Sequence, residues 1–236
     1  MIEENIAAIR ARLHDGCKLL AVSKLKSTDD IMQAYNCGQR LFGENYPLEL
    51  RDKHAALPTD IEWHFIGHLQ AKQLKYYIPF VAMIHGVDSV DHLMAVEQAA
   101  AKVGRSVDVL LQYHIATEAT KAGFLLGEAP TADTIAALNH VRVRGVMGMA
   151  SNTPDSTQVR AEFDALHQQF DSLKQTLFAN AEWFDQLSMG MSNDWPVAVE
   201  AGSTLVRVGS GIFGQRDYSK GSVLRNGGVD DSKTKE

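Results

Sequence analysis

The chain has 236 residues, 45% hydrophobic and 22% charged, enough to close one large core; a barrel of alternating strands and helices routinely occupies this length as a single domain. Its net charge of -6 leaves no basic excess to neutralise a phosphate backbone, which argues against nucleic acid as a partner. Cys17 and Cys37, the only cysteines, belong to no CxxC pair or Cys/His cluster, which argues against a disulfide framework or a zinc site; with no export signal and no apolar run near the roughly 20 residues that span a bilayer, a cytoplasmic chain without a membrane partner is expected.

Ile2, Ile6, Ile9 and Leu13 recur at the spacing of one helix face, so a helix precedes the first strand. LLAVSK then reads as a strand, and Ser27 and Asp30 have capping-box spacing ahead of a helix that stops at Gly38. The alternation continues through RLFGEN, a helix to about Ala56, EWHFIGHLQ, a helix ending before Pro79, FVAMIHGVD, and a helix from Ser89 to about Val103. VDVLLQYHI, a loop containing KAGF, a helix from about Thr131 to Asn139 and RVRGVMGMAS follow. After Asp155, Val159, Phe163, Leu166, Phe170, Leu173 and Leu177 mark the clearest helix. WFDQLSMGMS, a short helix to about Ala201 and TLVRVGSGIFG close the series.

About eight strands, each followed by a helix or helical turn, predict an α/β chain folded as a (β/α)8 TIM barrel with an extra N-terminal helix. An open doubly wound sheet is the alternative, disfavoured because no early strand runs into a dinucleotide glycine fingerprint. Residues 1–218 are expected to form the one domain, and the polar stretch 219–236 a disordered tail.

Functional groups of a parallel barrel sit at the C-terminal ends of its strands, where the first strand places Lys24. Position alone leaves two readings open. Lys24 is either an ordinary lysine leaving a strand for solvent, or an amine partly desolvated at the barrel mouth and able to attack an aldehyde to form an imine. Lys26 is the weaker candidate. At the other end of the chain, SMGMS follows the seventh strand and VRVGSGIFG the eighth. Glycines admit a ligand close to backbone, and the N–H groups of Gly209, Ser210 and Gly211 at a helix start, with the Ser192 hydroxyl, suit an anion. Loops after strands seven and eight are the usual phosphate site of the fold. Arg207 has the strand parity to point inward, where it pairs with either a barrel carboxylate or a heteroaromatic ring nitrogen. Asn45 in GEN, His64 in HFIGH and Met191 in SMGMS complete the candidate lining; no residue set suggests a metal, and no GxSxG elbow is present.

Taken in order, AVSK, FGEN, WHFIG, KAG, SMGMS and VRVGSGIFG resemble the pyridoxal-phosphate homeostasis protein family, single-domain relatives of the alanine racemase barrel, from about residue 4 to about residue 220. The resemblance implies pyridoxal 5'-phosphate as cofactor, held as a Schiff base on Lys24. It also implies phosphate contacts from Ser192, Gly209 and Ser210, and Arg207 at the ring nitrogen. An intracellular carrier or buffer without dedicated catalysis, monomeric, serving apo-enzymes that use the cofactor, is the expected role. The chain's stop after the barrel, without the β-domain that gives racemases a second catalytic acid, agrees with that expectation. The alternatives are an amino-acid racemase using the same cofactor, a cofactor-free Schiff-base aldolase, and a protein-binding regulator for which the cofactor is only a sensed ligand. The sequence departs from the family pattern at His68 (usually proline), His114 (usually asparagine) and Ala116 (usually serine).

Overall fold

In the computed structural model, which describes residues 1–118 and 120–215, the apolar runs become eight parallel strands hydrogen-bonded in chain order and closed into a barrel. The end of the expected domain at 218 and the tail 219–236 lie outside the described residues. The strands are β1 (Lys18–Val22), β2 (Leu41–Glu44), β3 (Glu62–Phe65), β4 (Met83–Val87), β5 (Val107–Tyr113), β6 (Val141–Gly148), β7 (Gln186–Ser188) and β8 (Leu205–Val208). Closure is made by β1 against β8, with Leu20 opposite Arg207 and Ala21 opposite Val208.

Around the barrel run α1 (Ile2–Arg10), α2 (Thr28–Asn36), α3 (Pro47–Ala56), α4 (Val90–Lys102), α5 (Ala132–Ala136), α6 (Ser156–Gln175), α7 (Trp195–Glu200) and α8 (Ser210–Phe213). α1 buries Ile6 and Ile9 as its spacing requires. α2 starts in the expected capping box, with the Asp30 N–H donating to Ser27 Oγ at 3.1 Å and the Ser27 N–H to Asp30 Oδ2 at 3.3 Å. α6 buries Val159, Phe163, Leu166, Phe170 and Leu173; at roughly 1.5–3 kcal/mol for each large apolar side chain, this face alone outweighs anything its exposed ion pairs supply.

Two helices differ from expectation. Between β3 and β4 the chain forms a short 3-10 helix, Ala71–Tyr76, because only Leu74 is buried within it and Pro79 disfavours helical backbone before it. α5 is five residues long and fully buries none of them; the Thr131 cap and the partly buried Ile135 against the core are what hold so short a helix. Among the described residues no helix is long and apolar enough to cross a membrane.

The large core fills the space between strands and helices. Met83, Leu110 and Met147 form a separate small cluster. Contacts between β4 and β7, which are not neighbours in the sheet, cross the barrel interior: His85 Nδ1 lies 3.4 Å from Ser188 Oγ.

Candidate functional site

A cavity of about 760 Å³ opens at the C-terminal ends of the strands, lined among others by Lys24, Asn45, Lys121, Ser192, Arg207 and Gly209. Met191 and Ser210 also reach it. Of the sequence candidates Lys24, Asn45, His64, Met191, Ser192, Arg207, Gly209 and Ser210, His64 alone stays outside the lining; the further candidates Gly211 and Lys26 stay outside it as well. The cavity is within the usual range for small-molecule sites.

β1 ends at Val22, and Lys24 lies two residues beyond, half buried, in a segment held from several sides. The Ser23 N–H donates to the Gly43 carbonyl at 3.0 Å, and the Ser23 carbonyl accepts from Lys53 Nζ at 2.8 Å. Leu25 has φ 61°, in the left-handed region, and its N–H donates to Glu49 Oε1 at 2.7 Å. Lys53 Nζ also donates to Glu44 Oε1 and Glu49 Oε1, at 2.8 and 2.6 Å, in a buried cluster. Burial raises Glu44 to about 7, against the opposing pull of Lys53. Lys26 is kept from the cavity: its Nζ donates to the carbonyls of Phe213 and Gln215 at 2.8 and 2.7 Å.

Arg207 points inward as its parity predicts and is 5% exposed. Among the described residues it makes no ion pair; Nη1 donates to Ser188 Oγ and Nη2 to the Gly148 carbonyl at 2.9 Å. Burial pushes the guanidinium down to about 10, still cationic at neutral pH. The chain of contacts continues through His85 to His64, whose Nδ1 is 2.9 Å from His85 Nε2. Burial lowers both imidazoles, His64 to about 4, so both are neutral at pH 7. Ser188 accepts from Arg207 and therefore has its proton to give His85 Nδ1, which leaves His85 Nε2–H to donate to His64. His64 is thus a support under the cavity floor, while Ile66, two residues further along the same face, reaches the lining.

Across the mouth, the Gly209 N–H donates to Ser192 Oγ at 3.2 Å, so this N–H, expected to be open to an anion, already has a partner inside the chain. Ser210 and Gly211 open α8, where the first N–H groups have no intrahelical acceptor. Gly190 has φ 93°, and a Cβ there would stand 2.5 Å from Ala198 Cβ, so only glycine lets the β7 exit turn back over α7 and place Ser192.

The sequence reading missed Lys121, Ser151 and Asn152 in the cavity wall. Lys121 Nζ donates to the Ala150 carbonyl at 2.6 Å; KAG read only as a turn gave no hint that the loop folds back over the mouth. His68, His114 and Ala116 do not line the cavity: His68 is exposed near Asp88, and His114 Nε2 lies 3.0 Å from the Glu118 carbonyl. No group of three or more His, Cys, Asp or Glu among the described residues is arranged to hold a metal.

Residues 1–217 match the family described as alanine racemase, N-terminal domain. The pyridoxal phosphate homeostasis protein of Pasteurella multocida is 36% identical over 233 residues, covering 93% of this chain and 99% of its own. The structure of PipY from Synechococcus elongatus, solved with pyridoxal phosphate (PLP) bound, is 32% identical with a TM-score of 0.77, covering 91% of this chain and 100% of that one; solved without PLP it gives 0.81 at 33% identity, with the same coverage. The alanine racemase of Clostridium difficile, 13% identical with a TM-score of 0.66, covers 91% of this chain and 56% of its own and shares the fold. The chain belongs to the pyridoxal phosphate homeostasis protein family, built on the alanine racemase N-terminal barrel.

Proposed function

We propose that this chain binds PLP as a Schiff base on Lys24 and carries or buffers it, as a cytoplasmic monomer, for enzymes that use the cofactor. One observation carries the reading: Lys24 beyond β1 and Arg207 on the adjoining β8 open onto one cavity together with Ser192 and Ser210. The residues fit the group. Asn45 Oδ1 is a buried acceptor of the wall with no partner among the described residues, and Arg207 is a buried cation without a carboxylate. PLP supplies an aldehyde for the amine and, in enzymes, an electron sink. Lys24, at the cavity wall, would hold the group through its amine as an imine, with the aldehyde oxygen released as water. Arg207, fixed by Ser188 and Gly148, would offer its guanidinium as the donor to the ring nitrogen, and a cationic donor there would keep that nitrogen unprotonated, weakening the electron sink and favouring holding over carbanion chemistry. Ser192 and the first backbone N–H groups of α8 would hold the phosphate. The relatives' shared name, and PLP in the structure of PipY, support this assignment.

The test is an absorbance titration with PLP, borohydride reduction and peptide mapping. A long-wavelength band that converts to a reduced adduct on Lys24, and is lost in Lys24→Ala, is expected. No band in the wild type overturns the reading in favour of the cofactor-free aldolase, and sustained racemisation of an amino acid by the loaded protein replaces the carrier with a racemase. Arg207→Gln is expected to weaken PLP binding at least tenfold, about 1.4 kcal/mol, in the same titration.

A further inference from the structure

Glu44, Glu49 and Lys53 lie outside the cavity lining, yet they hold the peptides on both sides of Lys24. Glu49 and Lys53 stand one turn apart on α3 and are 8% and 7% exposed, on a face where an amphipathic helix ordinarily presents apolar side chains. Lys53 grips the Ser23 carbonyl, and Glu49 the Leu25 N–H. Ser23 Oγ donates to Glu44 Oε1 at 2.6 Å, joining the hydroxyl to the same cluster. Leu25 is the one non-glycine residue with positive φ among those described, a conformation that costs an L side chain and persists only where surrounding contacts impose it. A buried ion pair contributes little net stability compared with an apolar replacement; what this cluster does supply is geometry.

We infer that Glu49 and Lys53 are positioning residues for Lys24: they impose the turned backbone at Ser23–Leu25 and so fix where the amine stands in the cavity. The inference rests on the assignment of Lys24 as the cofactor anchor, and its test is made first on the chain without PLP. Trace acetylation with acetic anhydride over a series of pH values, mapped by peptide mass spectrometry, reports the reactivity of each lysine. Glu49→Ala leaves Lys53 paired with Glu44, so no buried charge is stranded. It is expected to change the Lys24 labelling rate at least threefold or move the midpoint of its pH profile, with Lys72 and Lys102 unchanged. Glu49→Gln, which keeps an acceptor for the Leu25 N–H, is expected to restore the wild-type profile. If Glu49→Ala fails to fold by circular dichroism, Glu49→Leu, which fills the space without the acceptor, takes its place. Wild-type labelling of Lys24 in the folded variant overturns the inference, as does an equal change in all three lysines. A PLP titration of the same proteins separates the two claims: a wild type that forms no Schiff-base band sinks the anchor assignment, while the labelling still decides whether the clamp sets the amine.

Discussion

Gly145→Ala is expected to lose more than about 3 kcal/mol of stability, a large share of the roughly 5–15 kcal/mol that holds a typical domain. Gly145 sits in β6 beside the register shift against β5, with φ 156°. A Cβ there would lie 1.8 Å from the Gln186 carbonyl oxygen and 2.6 Å from its carbon. Both are backbone atoms of β7 and cannot rotate away, so the barrel must open between β6 and β7 to admit a methyl group. The effect reaches the site, because β6 carries the Gly148 carbonyl that holds Arg207. Thermal unfolding checks it: a chain of this size drops roughly 2–4 °C for each kcal/mol, so a fall near 10 °C or an insoluble product is expected. Gly104→Ala is the control, since φ there is 64° but nothing lies within 4 Å, and only the left-handed cost of about 1–2 kcal/mol applies. Equal losses in the two variants would show that backbone strain, and not contact with β7, sets the cost.

The second expected result concerns pH. Glu44 is fully buried, and desolvation raises it from the usual carboxylate value of 4.5 to about 7, with Glu49 adding repulsion and the Lys53 and Ser23 contacts opposing. A carboxyl raised on folding favours the folded state fully below pH 4.5 and loses that contribution as pH climbs through about 7. Glu44→Gln cannot ionise and escapes the loss. From pH 5 to pH 8 the stability of the variant relative to wild type should therefore rise by about 2 kcal/mol, read from urea melts at the two pH values. A difference that stays flat or falls with pH means that Lys53 keeps Glu44 ionised throughout. Lys53→Met is expected to behave oppositely in magnitude: it strands the carboxylates, costs roughly 3–5 kcal/mol at pH 8, and costs less at pH 5, where Glu44 binds a proton.

Much of this molecule was legible from its residues because barrel strands are short, apolar and separated by recognisable helix signals. The Ser27–Asp30 cap and the face of α6 are local patterns and appear where spacing puts them. Arg207 was legible because strand parity alone decides inside from outside. His64 shows the limit of parity, which gives direction without depth: it points inward but one layer below Ile66, two residues or roughly 6–7 Å along the strand. The support of Arg207 comes from β4, β6 and β7 at once, a convergence that no single segment records. Glu49 and Lys53 mislead for another reason. Their i, i+4 spacing is that of an ordinary solvent-exposed pair on a helix, and only the position of α3 against β2 and β3 and over the segment that follows β1 buries them. Lys121 depends on the path of a long loop, for which composition supplies no geometry.

The barrel seam passes through the site itself. Lys26 reaches carbonyls beyond β8, at a chain separation of 187 residues to Phe213, and Leu20 of β1 pairs with Arg207. During synthesis Lys24 emerges early and must wait for nearly the whole chain before the cavity floor, the loops after β7 and β8 and the eighth strand arrive beside it. A nascent or prematurely stopped chain therefore exposes the amine without the pocket. Ligand binding stabilises only the sealed barrel, by an amount that grows with the free ligand concentration, so a cell replete in PLP is expected to accumulate more of the completed protein than a starved one at equal rates of translation.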